Sequence, residues 1–132
     1  MAKTAKKLTA KGTFKTKKAK VEVQVPVFEF TEDDVEIIYC PSLDLSGYGK
    51  TLKEAEDSFE IVLGEFLDYT TTKGTLVKEL KSLGWKTKAH NASIKGPELS
   101  ALLVSNELLR GIVNAQKDFR VTQRPIHLSI AA

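Results

Sequence analysis

Val21, Val23, Val25 and Val27 stand at every second position with Glu22 and Gln24 between them, the period of a strand with one buried face. Pro26 interrupts the run. A proline has no N–H for a ladder, so this strand is expected at a sheet edge or at a bulge. A polar connection, Thr31 to Asp34, leads into VEIIYC over residues 35–40, rich in β-branched and aromatic residues, and the two runs read as an antiparallel hairpin. Pro41 ends the second run. Leu43 and Leu45 then flank Asp44, and Gly47-Tyr48-Gly49 follows, placing a short third strand around residues 45–48.

The period changes at Thr51, which has the chemistry of a helix N-cap, with Glu54 three residues on to complete a capping box. Ala55, Phe59, Val62, Leu63, Phe66 and Tyr69 recur at spacings of three and four, so a long helix is expected to lay this stripe on the sheet. Glu56, Asp57, Glu60, Glu65 and Asp68 fall mostly off the stripe. Gly64 is out of place there, since a mid-helix glycine costs about 1 kcal/mol relative to alanine. A Thr-rich link over residues 70–74 leads to a shorter helix at residues 76–83, capped by Thr75 and stopped by Gly84. Trp85 directly after it reads as a core plug. Residues 87–95 give weak signals compatible with one more strand. Pro97 opens one or two short helices broken near Ser105 and Asn106, and residues 119–130 read as a final strand. The first twenty residues alternate lysine with alanine and threonine. Within them residues 8–14 fit either a short edge strand or a disordered arm.

Charge divides the chain in three. Residues 1–20 carry eight lysines and no acid, +8; residues 21–68 carry thirteen carboxylates against Lys50 and Lys53, −11; residues 69–132 return +6. The acidic middle would repel phosphates and suits a basic protein partner; a solvated acidic surface neutralised by the chain's own basic ends fits equally well. The overall composition, 42% hydrophobic and 28% charged over 132 residues, is that of one ordinary globular domain. No apolar run is long enough to span a bilayer, and the Lys-rich start lacks the apolar stretch of a secretory signal, so the cytoplasm is the expected compartment.

Convergent catalytic groups are scarce, and no enzymatic activity, cofactor or metal is expected. Gly47-Tyr48-Gly49-Lys50-Thr51 lacks the upstream glycine and spacing of a phosphate-binding loop. Cys40, the only cysteine, closes an apolar strand and is expected to be an inert small hydrophobe. His127 sits between Ile126 and Leu128 in the final strand, a structural or surface position rather than that of a base. Asp44 paired with Glu36 or Glu54 would make a carboxylate pair for Mg²⁺, but a solvated acidic face explains the same residues. A helix-turn-helix over the two C-terminal helices would have only Arg110, Asn114 and Gln116 to offer base edges, so packing is their expected role.

The stretch Ile38-Tyr39-Cys40-Pro41-Ser42-Leu43-Asp44-Leu45-Ser46-Gly47-Tyr48-Gly49-Lys50-Thr51-Leu52-Lys53-Glu54-Ala55 resembles the signature of the HicB antitoxin family. Its anchors are Pro41, Leu43, Gly47, Gly49, Thr51, Glu54 and Ala55, and the likeness covers residues 21–69. The resemblance implies an α+β fold, a HicB-like β-β-β-α-β unit of partial RNase H-like type, here followed by short C-terminal helices and a final strand. It divides the chain into a basic arm or edge strand (1–20), a HicB-like domain (21–95) and a packed or oligomerising extension (96–132).

Members of that family bind a small basic RNA-cleaving toxin, so the resemblance implies a HicA-like partner masked by an antitoxin. Charge and exposure then select Asp44, Tyr48, Glu54, Asp57 and Glu60 as partner-binding residues. The chain departs from the family in its basic N-terminal extension and in lacking a clear C-terminal DNA-binding pattern, which leaves operator binding open. Two other readings follow: a solitary homodimer or larger oligomer associating through the final strand, and a nucleic-acid-binding regulator using Lys3, Lys6, Lys7 and Lys11.

Overall fold

The valine run extends well beyond its alternating core and forms the spine of the protein. In the computed structural model, which describes residues 18–88, 93–115 and 118–131, the elements in chain order are β1 (Lys18–Glu32), β2 (Val35–Cys40), β3 (Leu45–Gly49), α1 (Leu52–Lys73), α2 (Leu76–Ser82), β4 (Lys86–Lys88), β5 (Ser93–Lys95), α3 (Leu99–Ser105), α4 (Glu107–Asn114) and β6 (Phe119–Ala131). The segment expected at residues 8–14, with Lys3, Lys6, Lys7 and Lys11, lies outside the described residues.

Four strands make one antiparallel sheet in the order β3-β2-β1-β6. β1 pairs with β6 along residues 18–30, while β2 reaches only from Glu32 back to Phe28. Pro26 is therefore accommodated although β1 lies inside the sheet: at that position its only ladder partner is β6. β6 has β1 on its inner side and carries Pro125 midway along its length, which interrupts the donors of its outer edge. The β1–β2 hairpin closes with Glu32 opposite Val35, so its turn is Asp33-Asp34, and both have positive φ, 53° and 64°. That is the backbone of a type I′ turn, which favours glycine at its second position. Asp34→Gly is expected to raise stability by about 0.5 kcal/mol. A denaturant midpoint that falls in this variant would show that the turn is not strained.

Period-two alternation sends the two sides of the sheet into two different cores. Val25, Val27, Ile38, Cys40, Ile126, Leu128 and Ile130 bury against Ala55, Phe59 and Leu63 of α1, Leu76 and Leu80 of α2, and Trp85. Phe28 and Tyr39 point the other way and pack on Leu102, Leu109 and Ile112 of α3 and α4. The architecture is α+β, an antiparallel sheet with helices on both sides. Its first four elements run β-β-β-α as expected. The chain between α1 and the final strand is richer: it holds α2, the separate two-stranded ribbon β4–β5, and α3 and α4.

Two expectations for α1 are corrected. The helix does not stop before the threonines but runs to Lys73, where Gly74 ends it in the left-handed conformation at φ 71°. Thr70 is buried, and its hydroxyl donates to the carbonyl of Phe66 at 2.8 Å, which satisfies it inside the helix. Tyr69, counted on the apolar stripe, is 64% exposed. Thr75 precedes α2 without capping it through its side chain. Trp85 is buried, and its indole N–H donates to the carbonyl of Ser42 at 2.8 Å. The break between α3 and α4 falls at Asn106, whose side chain accepts from the N–H of Leu109 at 2.9 Å.

Candidate partner-binding surface

The strand-to-helix junction holds α1 against the sheet edge. Thr51 accepts from the N–H of Glu54 at 3.1 Å, and the Glu54 carboxylate accepts from the N–H of Lys50 at 2.9 Å, one residue earlier than the usual capping box. Gly47 and Gly49 face the helix. A Cβ on Gly47 would lie 2.4 Å from the Phe59 nitrogen, and one on Gly49 would lie 2.5 Å from the Ala55 nitrogen. The absence of side chains at both is what allows α1 to lie directly on β3. The N–H of Tyr48 donates to the Ser58 hydroxyl at 3.2 Å, tying the helix to the edge strand.

The outward side of α1 is acidic. Glu54, Asp57, Glu60, Glu65 and Asp68 are all exposed, and Ile61 and Tyr69, 62% and 64% exposed, stand among them. At 100° per residue, Asp57, Ile61, Glu65 and Asp68 share one side of the helix, and Tyr69 borders it. Gly64 lies within the same outward side, and a Cβ there would meet nothing within 4 Å. The charges are not equally available. Lys53 pairs with Asp57 at 3.2 Å across one turn, and Glu60 is held by Arg124 of β6, whose guanidinium lies 5.2 Å from the centre of the Phe59 ring. Glu60 thus fastens the helix to the far strand.

The five residues chosen from charge and exposure do not form one surface. Glu54, Asp57 and Glu60 lie on α1, whereas Tyr48 stands opposite Ile37 in the ladder and so projects to the α3–α4 side. Asp44, at φ 56°, accepts from the Tyr39 hydroxyl at 2.8 Å, and that hydroxyl accepts from the Asn106 amide at 2.9 Å. Asp44, Tyr39 and Asn106 therefore join the β2–β3 turn to the α3–α4 corner. Glu36, considered as a carboxylate partner for Asp44, accepts from the Thr31 hydroxyl at 2.8 Å. Among the described residues no three His, Cys, Asp or Glu side chains gather closely enough to hold a metal ion. Ile61 was missed because the apolar stripe was traced through the buried positions. An isoleucine off that stripe, between Glu60 and Glu65, was the available signal.

Burial pushes the Tyr39 phenol up to about 12 and the Cys40 thiol up to about 11, from ordinary values of 10.0 and 9.0. Asp44 beside the phenol adds to its shift. Both groups are raised in the folded protein, so the stability they contribute is complete below pH 9. It is lost as pH climbs through 9 to 12, because the unfolded chain ionises first. The melting temperature is expected to be flat between pH 7 and 9 and to fall steeply above it, with Tyr39→Phe flattening the upper part of that fall. A wild-type curve that stays flat to pH 12 would contradict this.

No helix among the described residues is long and apolar enough to cross a membrane. Set against known families, curated proteins and solved structures, the chain matches none of them.

Proposed function

We propose that this protein is a cytoplasmic, non-catalytic binding module of the antitoxin kind, which uses α1 to hold and mask a small basic, HicA-like RNA-cleaving toxin. The observation that carries this reading is the combination on one helix side of Asp57, Glu65 and Asp68 with the exposed Ile61, and with the exposed Tyr69 at its border. Carboxylates alone describe a solvated helix. An exposed isoleucine and tyrosine among them supply the apolar and aromatic anchors that protein interfaces concentrate, and the carboxylates select a cationic partner and speed the encounter. The HicB-like β-β-β-α unit suggested by the junction from Pro41 to Ala55 supports the same reading, and its glycines give the helix a fixed position from which to bind.

The test is inhibition of RNA cleavage by a HicA-like ribonuclease from the source organism. The wild-type protein should inhibit it at a one-to-one ratio. Asp57→Lys, Glu65→Lys and Asp68→Lys together should weaken binding by about 100-fold or more. Glu60 is left alone in this variant because reversing it would release Arg124 and disturb the fold. Inhibition unchanged in the triple variant would move the interface away from α1, and no inhibition by the wild type would end the antitoxin reading.

A further inference from the structure

We infer that α2 and the β4–β5 ribbon form a nucleic-acid contact surface that grips the phosphate backbone without reading bases. Residues 73–95 contain six lysines and one acid, Glu79. Lys78 and Lys81 lie one turn apart on the exposed side of α2, and the chain passes from that helix straight into β4, where the N–H of Trp85 donates to the carbonyl of Leu80 at 2.9 Å. Lys86 of β4 then stands directly opposite Lys95 of β5. Like charges facing each other across a two-stranded ribbon weaken it, and Glu98, 3.6 Å from Lys95, offsets only part of that. Bound to a polyanion, the same pair becomes favourable. Lys86 and Lys95, with Glu98 beside them, also border a cleft of about 310 Å³ lined by Gly84, Pro97 and Ser100.

The chemistry of this surface separates nucleic acid from other acidic partners. Among the described residues of 73–95 no large apolar side chain is exposed, in contrast to the α1 ridge with Ile61 and Tyr69. A protein interface or a membrane surface needs such anchors, whereas phosphate contacts need only positive charge. The exposed cations are lysines, point charges without the planar fork that reads guanine edges.

Placement supports the same partner. Leu128 and Ile130 of β6 pack in one core with Leu76, Leu80 and Trp85, and Val21 and Ala19 of β1 stand opposite them in the ladder. Lys20 of β1, exposed and opposite Ser129 in the ladder, lies at this same end. The β1–β2 turn, with Asp33 and Asp34, closes the opposite end of β1. A polyanion is attracted to one end of the molecule and repelled from the other.

Fluorescence anisotropy with the full chain and a labelled mixed-sequence 20-mer, single-stranded and as a duplex, tests this between 25 and 200 mM salt. Both probes should bind, with little preference for sequence. Lys81→Ala, Lys86→Ala and Lys95→Ala together should weaken duplex binding at least tenfold at 50 mM salt and make the slope of log K against log salt shallower by about 3. The variant should melt no lower than the wild type, since it removes a repulsion. Substituting Lys3, Lys6, Lys7 and Lys11 by alanine should leave measurable binding. Three results would overturn the inference: no binding at 25 mM salt, wild-type affinity and slope in the Lys81/Lys86/Lys95 variant, or equally tight binding of a 20-residue polyglutamate.

Discussion

Replacing Gly47 by alanine is expected to cost about 3 kcal/mol, a large loss for the addition of one methyl group. The new Cβ would lie 2.4 Å from the Phe59 nitrogen, 2.6 Å from the Ala55 carbonyl oxygen and 2.7 Å from the Phe59 Cα. All three are backbone atoms of α1, so no side-chain rotation relieves the clash. The helix has to lift from β3 or the edge strand has to swing away, and either movement strains the Thr51 cap and the Ser58 contact to Tyr48. Phe59, Ala55 and Leu63 would lose part of their burial. Urea denaturation reads the loss directly. A midpoint within about 0.5 kcal/mol of the wild type would mean that α1 does not lie on β3 as described.

Trp85→Ala is expected to cost about 4 kcal/mol. The indole is buried with Leu76, Leu80, Leu128 and Ile130, donates to the Ser42 carbonyl, and lies close enough to Gly96 that a Cβ there would meet the ring at 3.4 Å. Truncation leaves a cavity and strands the carbonyl of Ser42, a residue that is itself buried. Trp85→Phe separates these effects, since it keeps most of the packing and gives up the hydrogen bond. It should fall between the wild type and the alanine variant. The same residue joins three segments, its side chain reaching the turn after β2 and the β5–α3 connection and its backbone N–H the end of α2. Its loss should therefore loosen the lysine-bearing ribbon before it melts α1, and hydrogen exchange would register that order.

Local patterns predicted local features well. The valine alternation, the Thr51–Glu54 junction, the break at Asn106 and the burial of Trp85 all follow from spacing or from the chemistry of single residues. What short windows do not contain is pairing between distant segments. The partner of β1 along residues 18–27 is β6, about a hundred residues away, and nothing in the valine run names it. The same reason scattered the proposed contact residues. Exposure and charge put Asp44 and Tyr48 beside Glu54, Asp57 and Glu60, but facing is set by ladder register, and the register turns Tyr48 to the other side of the sheet. Tyr69 failed for a related cause: helical spacing places it at the margin of the stripe, and packing buried Thr70 in its stead.

The long β1–β6 ladder also sets a timetable for synthesis. Glu29 and Arg120 meet across 91 residues of chain, so at ribosomal speeds of about 5–20 residues per second β1 waits roughly 5–20 s for its partner. During that interval β2, β3 and α1 are already available to fold on one side of it. Val21, Val23 and Val25 lie beyond the reach of β2 and present an open, β-branched edge. Contacts this distant along the chain make folding slow, and the nascent protein is most exposed to aggregation before residues 119–131 emerge. A chain cut short before β6 should therefore be a client of chaperones rather than a smaller stable domain.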